Sequence, residues 1–219
     1  RLIASSIQVY GEQFFKKLFG EIVPIAEHRV QIMNDGDEVL FGSRKLRFLH
    51  TRGHANHHFC IHDSRSNGVF TGDSFGIAYP ALQKAGPYIY PTSTPTDFDP
   101  GEARLSLSKI RETGCVRLYL THFGEFTALD DGEKQMRDGL HFLEGLLNES
   151  VEALTKGVRN DAILKQVSHS IYERMNYELT SRRMLLSHAD QEMMKLDSEL
   201  NASGIVFAAS RRVKSGRAI

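Results

Sequence analysis

Between Phe48 and Gly76 the chain reads FLHTRGHANHHFCIHDSRSNGVFTGDSFG, which holds five of its ten histidines and sets Asp73 in a Gly-Asp-Ser turn. A later apolar run stops at Thr121-His122-Phe123-Gly124. His54, Asp73 and His122 each stand where an apolar, strand-like run ends. Imidazole and carboxylate groups delivered from separate loops are the donors a metal-hydrolase site needs. Gly53 lets the backbone turn tightly just before His54. A single histidine near a strand end is ordinarily structural. Three such residues in this placement point to metal ligands at the mouth of a layered sheet.

The flanking pattern supports a sheet. Glu38–Phe41, Lys45–His50, His57–His62 and Val69–Thr71 read as strands separated by turn chemistry, Asn34-Asp35-Gly36-Asp37 and Asp63-Ser64-Arg65-Ser66-Asn67-Gly68 among it. Arg29–Met33 alternates and reads as one more strand. Ahead of these, Ile7, Tyr10, Phe14, Phe15 and Leu18 fall at helical spacing within Ser6–Phe19, with Gly20 as the stop. Ile77–Pro100 holds five of the six prolines, Pro95 among them, and Tyr79, Tyr88 and Tyr90; it reads as an ordered wall or lid beside the site. Asp99-Pro100 opens a helix that stops at Gly114, and Val116–Leu120 is a short strand. From Asp130 onward three helical segments follow, the last spanning about Ser187–Arg212. In that last segment Leu196, Leu200, Gly204 and Phe207 form a stripe expected to pack on the chain itself, with a homodimer contact through the tail as the second choice.

Composition sets outer limits. With 219 residues, 27 basic and 27 acidic, nothing global favours a nucleic acid or an anionic membrane. Cys60 and Cys115, each in an apolar run, read as buried reduced thiols. No apolar run reaches the ~18 residues of a bilayer span, and with no secretory signal the expected location is cytoplasmic.

Three strings carry a resemblance to the metallo-β-lactamase-fold hydrolases: His50-Thr51-Arg52-Gly53-His54 with His58 following, Phe70-Thr71-Gly72-Asp73-Ser74, and Leu120-Thr121-His122-Phe123-Gly124. The helix ahead of them and the helical tail resemble a glyoxalase II-like or thioesterase-like branch. The resemblance implies an α+β fold, an αββα sandwich incomplete at the N-terminus with a C-terminal helical cap. Residues 1–129 would be the C-terminal part of that domain and 130–219 the tail. It further implies that His54 binds one divalent metal, that Asp73 bridges two and that His122 binds the second. The metal would be zinc, with iron or manganese as other choices. His58 would orient the ligands from behind. The family's His-x-His-x-Asp-His string is not in this sequence; His28 stands alone, and Arg52 replaces the proline of many relatives. With Arg1 as the first residue, this reads as the C-terminal portion of a longer hydrolase.

The implied chemistry is hydrolysis of an ester, thioester or lactone by a metal-activated water acting on a small-molecule substrate, with this isolated chain inactive if the missing string is truly absent. The alternative is a non-catalytic binding or regulatory protein on a degenerate scaffold. A nuclease reading finds no basic groove. A serine-nucleophile mechanism finds no Gly-x-Ser-x-Gly elbow. His141, His169 and His188 read as polar-face residues of helices.

Overall fold

The computed structural model describes Ile3, Ala4, Ile7 and residues 11–93, 97–122 and 124–216. Arg1, Ser6, Tyr10, Pro95 and Phe123, which figure in the expectations above, lie outside the described residues. The chain divides into two compact units, 1–34 and 35–219.

In the first unit, helix α1 (Glu12–Phe19) ends at Gly20 as its spacing predicts, with the Phe15 and Phe19 rings 4.9 Å apart. The strand expected over 29–33 does not form. Glu27–Arg29 is a single 3-10 turn, and Val30 and Ile32 are 54% and 85% exposed. Alternation specifies a strand only where a neighbouring strand accepts its hydrogen bonds and one face is covered.

The second unit is built on one six-stranded mixed sheet: β1 (Glu38–Phe41), β2 (Arg44–His50), β3 (Phe59–Asp63), β4 (Gly68–Gly72), β5 (Arg117–Leu120) and β6 (Gly124–Phe126), in that spatial order. All neighbours are antiparallel except β4 and β5. Their parallel pairing requires a crossover. The 77–99 loop and helix α2 (Pro100–Arg111) supply it. Asp99 caps α2 by accepting from the Gly101 and Glu102 amides at 2.9 and 3.1 Å, and Pro100 occupies the first turn, as the sequence predicts. Strand β6 has no counterpart in the expectations; it is three residues long, below the length at which period-two alternation is readable.

Three long helices follow: α3 (Leu129–Thr155), α4 (Asn160–Ser181) and α5 (His188–Lys214). Ser187 and Asp190 close a reciprocal capping box at the start of α5. Leu49, Cys60, Val69 and Leu118 on one sheet face share a single core with Leu107 and Ile110 of α2 and with Leu140 and Leu147 of α3. Each such Leu or Ile side chain removed from water contributes about 1.5–3 kcal/mol. Met184 and Met194 fill the same core, and Cys60 and Cys115 are buried free thiols, as expected. On the other sheet face Phe48, Ile61, Phe70 and Tyr119 lie in cross-strand register, and Phe70 is 45% exposed. The α+β class and the helix-on-mixed-sheet layering hold; of the implied αββα layers, the described residues build one sheet.

The packing expected of the α5 stripe is corrected in part: Gly204 is buried and Leu200 half-buried, but the two ends of the stripe are not. Leu196 and Phe207 face outward, 59% and 39% exposed. The inward face carries Met194, Asp197, Ser198, Asn201, Ile205 and Ala208 instead. Its polar members are hydrogen-bonded, so the buried stripe is partly hydrophilic and hydrophobic periodicity does not pick it out. No helix among the described residues is long and apolar enough to cross a membrane.

Candidate metal centre

Strand directions bring the three candidate ligands to one sheet edge. β2 and β4 are each antiparallel to β3 and so run the same way, and β5 is parallel to β4. The loop carrying His54 leaves β2, Asp73 directly follows β4, and His122 follows β5 beyond Thr121. Ligands gather outside the carboxyl ends of such strands.

The segment after β2 is tied down before it reaches His54. The Arg52 carbonyl accepts from Ser106 Oγ at 2.6 Å, and the Gly53 carbonyl accepts from the Asp99 amide at 2.8 Å. Gly53 has φ of 114° and lies against the start of α2, where a Cβ would stand 2.3 Å from the Ala103 nitrogen. No side chain fits there. The requirement for glycine ahead of His54 is therefore both a turn and a close backbone approach.

His54 Nε2 lies 3.4 Å from Asp73 Oδ2, and His122 Nε2 lies 3.5 Å from Asp73 Oδ1. Both distances are long for a charge-assisted hydrogen bond, which favours about 2.7–2.9 Å. They match the ~3.3–3.4 Å between two donors that share one tetrahedral cation with bonds near 2.0–2.1 Å. Each carboxylate oxygen faces a different imidazole, the disposition of a bridging carboxylate. Asp73 Oδ1 is buried and makes no hydrogen bond, a costly state unless a cation completes it. Burial pushes the His54 imidazole down to about 4, opposed by the Asp73 carboxylate, so the ring is neutral at physiological pH and presents a lone pair. In kind the donors fit a divalent metal. In number they fall short: among the described residues no group of three or more His, Cys, Asp or Glu converges to hold an ion. The donors meet as two histidine–carboxylate pairs, and a catalytic zinc takes three protein ligands.

His58 stands behind Asp73. Its Nε2 accepts from the Asp73 amide at 3.2 Å, which fixes the proton on Nδ1. Nδ1 then donates to Ser74 Oγ at 3.0 Å, and Ser74 Oγ donates to Thr51 Oγ1 at 3.0 Å. With its proton already on Nδ1 and Ser74 buried, this His–Ser pair cannot activate Ser74 as a nucleophile. Gly72, at φ of 50°, admits the ring: a Cβ there would lie 2.3 Å from His58 Nε2. His58→Ala is expected to weaken divalent metal binding by about 10–100-fold. It should also cost about 1–3 kcal/mol through the orphaned Asp73 amide. Calorimetric metal titration beside a thermal melt checks both.

Of the remaining histidines, His57 lies close enough to act electrostatically on His54 and His58. The His50 amide donates to Asp35, His62 pairs with Asn67 Oδ1 at 3.0 Å, and His141, His169 and His188 are exposed on helices. Sequence reasoning did not mark Asp197. Asp197 accepts from Tyr79 Oη across 118 residues of sequence, and no local signal marks such a partner.

The family model of the metallo-beta-lactamase superfamily matches residues 5–122, more than half of the sequence, and the chain belongs to that superfamily. Its fold is shared with an archaeal metallo-beta-lactamase superfamily protein from Sulfolobus tokodaii, 18% identical with a TM-score of 0.55, over 93% of this chain and 62% of that one. Fainter likenesses reach a stereoselective inverting sec-alkylsulfatase from Pseudomonas sp. (16% identity, TM-score 0.48, 83% of this chain and 26% of that one) and a rubredoxin oxygen:oxidoreductase from Desulfovibrio gigas (13%, 0.39, 95% and 74%). The chain thus spans less than two thirds of the archaeal structure it resembles. No curated protein matches it.

Proposed function

We propose that this chain carries part of the ligand set of a metal-dependent hydrolase acting on an ester, thioester or lactone, of the glyoxalase II-like or thioesterase-like kind. The observation that supports the reading most directly is Asp73, whose two oxygens face the Nε2 atoms of His54 and His122 at 3.4 and 3.5 Å. His54 and Asp73 would hold one metal, Asp73 and His122 the other, with zinc the first choice and iron or manganese also compatible with these donors. A metal bound there supplies a water of lowered pKa and a counter-charge for the developing oxyanion. The chain's own residues set the geometry: Gly53 and its docking on α2 aim His54, and His58 holds Asp73 through the main chain. Since each pair gives two donors, an intact centre draws further ligands from other groups, the role the His-x-His-x-Asp-His string plays by resemblance.

The same shortfall favours a second reading, a binding protein on this scaffold that holds metal without turnover. The test is hydrolysis of p-nitrophenyl acetate, an acyl thioester and a lactone by the zinc- or manganese-loaded chain, with Asp73→Ala as control. Turnover that the substitution abolishes supports the hydrolase. Metal held through Asp73 without turnover supports the binding protein. Wild type that takes up no metal overturns both.

A further inference from the structure

Helices α4 and α5 are neighbours, and between them lies a groove of about 660 Å³ that opens to solvent. Its floor is apolar, lined by Leu164 of α4 and by Leu196 and Leu200 of α5. Leu164 and Leu200 are half-buried, whereas Leu196 is 59% exposed. Four charged side chains surround this floor, Lys165 on α4 and Glu192, Lys195 and Glu199 on α5, and all four are exposed. Among the described residues the ion pairs of the two helices run through Asp161, Glu173, Glu178, Asp190 and Arg211 and use none of these four. An apolar centre inside a polar, charged rim is the anatomy of a protein–protein interface.

The sequence of α5 says what fits. Glu192, Lys195, Leu196, Glu199 and Leu200 recur at three- and four-residue spacing, so they share one face of the helix. Lys195 and Glu199 are opposite in sign and one turn apart. Two copies of α5 laid antiparallel, with a two-fold axis midway between these positions, set Lys195 of each copy against Glu199 of the other. The same axis lays the Leu196–Leu200 strips on each other. An interface between identical chains must be self-complementary in this way. A parallel arrangement would instead oppose Lys195 to Lys195 and Glu199 to Glu199. The rim carries two acidic and two basic groups, so a strongly acidic or strongly basic partner would satisfy only half of it. A small apolar ligand would leave all four unused.

We propose that this groove is an interface for a second copy of the chain, closed by antiparallel packing of the two α5 helices with Leu196 at its centre and Lys195 of each copy paired with Glu199 of the other. None of these residues belongs to the candidate metal centre, so the proposal is independent of the metal.

Sedimentation equilibrium of wild type, Leu196→Asp, Lys195→Glu, Glu199→Lys and the double reversal of Lys195→Glu with Glu199→Lys tests it. Far-UV circular dichroism and a thermal melt check that each variant folds, as expected for substitutions at exposed positions. Wild type should be a dimer at about 100 μM, and Leu196→Asp a monomer. Each single reversal creates two like-charge contacts per dimer and should raise the dissociation constant about 10–100-fold. The double reversal restores both pairs and should return it to within about three-fold of wild type. A monomeric wild type at that concentration would overturn the proposal; if it then bound a fluorescent apolar dye that Leu196→Asp failed to bind, the groove would belong to a small apolar ligand. A dimer that survives Leu196→Asp and both single reversals would overturn it too, because another surface would hold the copies together. Single reversals that dissociate the dimer with no rescue by the double reversal would overturn the antiparallel pairing.

Discussion

Gly53→Ala is expected to destabilise the protein by about 3–5 kcal/mol. Two costs combine. An L-residue at φ of 114° is strained, and the new Cβ would stand 2.3 Å from the nitrogen and 2.4 Å from the Cα of Ala103. Those are backbone atoms of helix α2, already fixed by the Asp99 cap and by the Asp99 amide donating to the Gly53 carbonyl. They cannot yield as the tip of a flexible side chain would. For a chain of this size each kcal/mol lowers the melting midpoint by about 2–4 °C, so a drop of about 6–20 °C is expected. Gly145→Ala is the matched control. That glycine lies inside α3 with nothing within 4 Å of the added Cβ, and the substitution should raise stability by about 0.8–1 kcal/mol. Opposite signs in the two melts confirm that the cost at Gly53 comes from its backbone conformation and close approach together. Equal small changes would refute it.

Asp73→Asn is expected to separate function from stability. The carboxylate is the only member common to both histidine pairs, and replacing one oxygen by an amide nitrogen removes a donor to one ion and charge from both. Metal affinity should fall at least about 100-fold, since a ligand contributes more than the 10–100-fold typical of the groups behind it. In metal-free protein the same change should be neutral or stabilising by about 1 kcal/mol. It removes a charge whose Oδ1 is buried without a hydrogen-bond partner and keeps the size of the side chain. Equilibrium dialysis and a metal-free melt measure the two effects separately. A large loss of metal-free stability would mean that Asp73 is chiefly a structural residue.

What the sequence made legible was the periodic and the local. The β2, β4 and β5 runs, the Asp99 cap, Gly53 before His54 and the three helices after Asp130 all announce themselves within windows of a few residues. The convergence of His54, Asp73 and His122 was readable because strand ends on a common edge leave their mark in sequence as apolar runs that stop at a polar residue. What stayed hidden was set by long-range packing. Val30 and Ile32 alternate as a strand would, yet among the described residues no neighbouring strand pairs with them and both are exposed. Leu196 and Phe207 mark the outer side of α5, because the inner side is built on Asp197 and Asn201 bonded to residues more than a hundred positions away. The wiring of His58 to the Asp73 amide depends on Gly72 leaving room for the ring, and spacing alone gives no sign of it.

The most direct test of the central claim is the zinc content of the purified chain after dialysis, by elemental analysis, beside Asp73→Ala, His54→Ala and His122→Ala. Because each imidazole faces a separate oxygen of Asp73, bound zinc is expected in wild type, with loss of part of it in each histidine variant and loss of all of it in Asp73→Ala. Zinc retained in full by Asp73→Ala, or none bound by wild type, would contradict it.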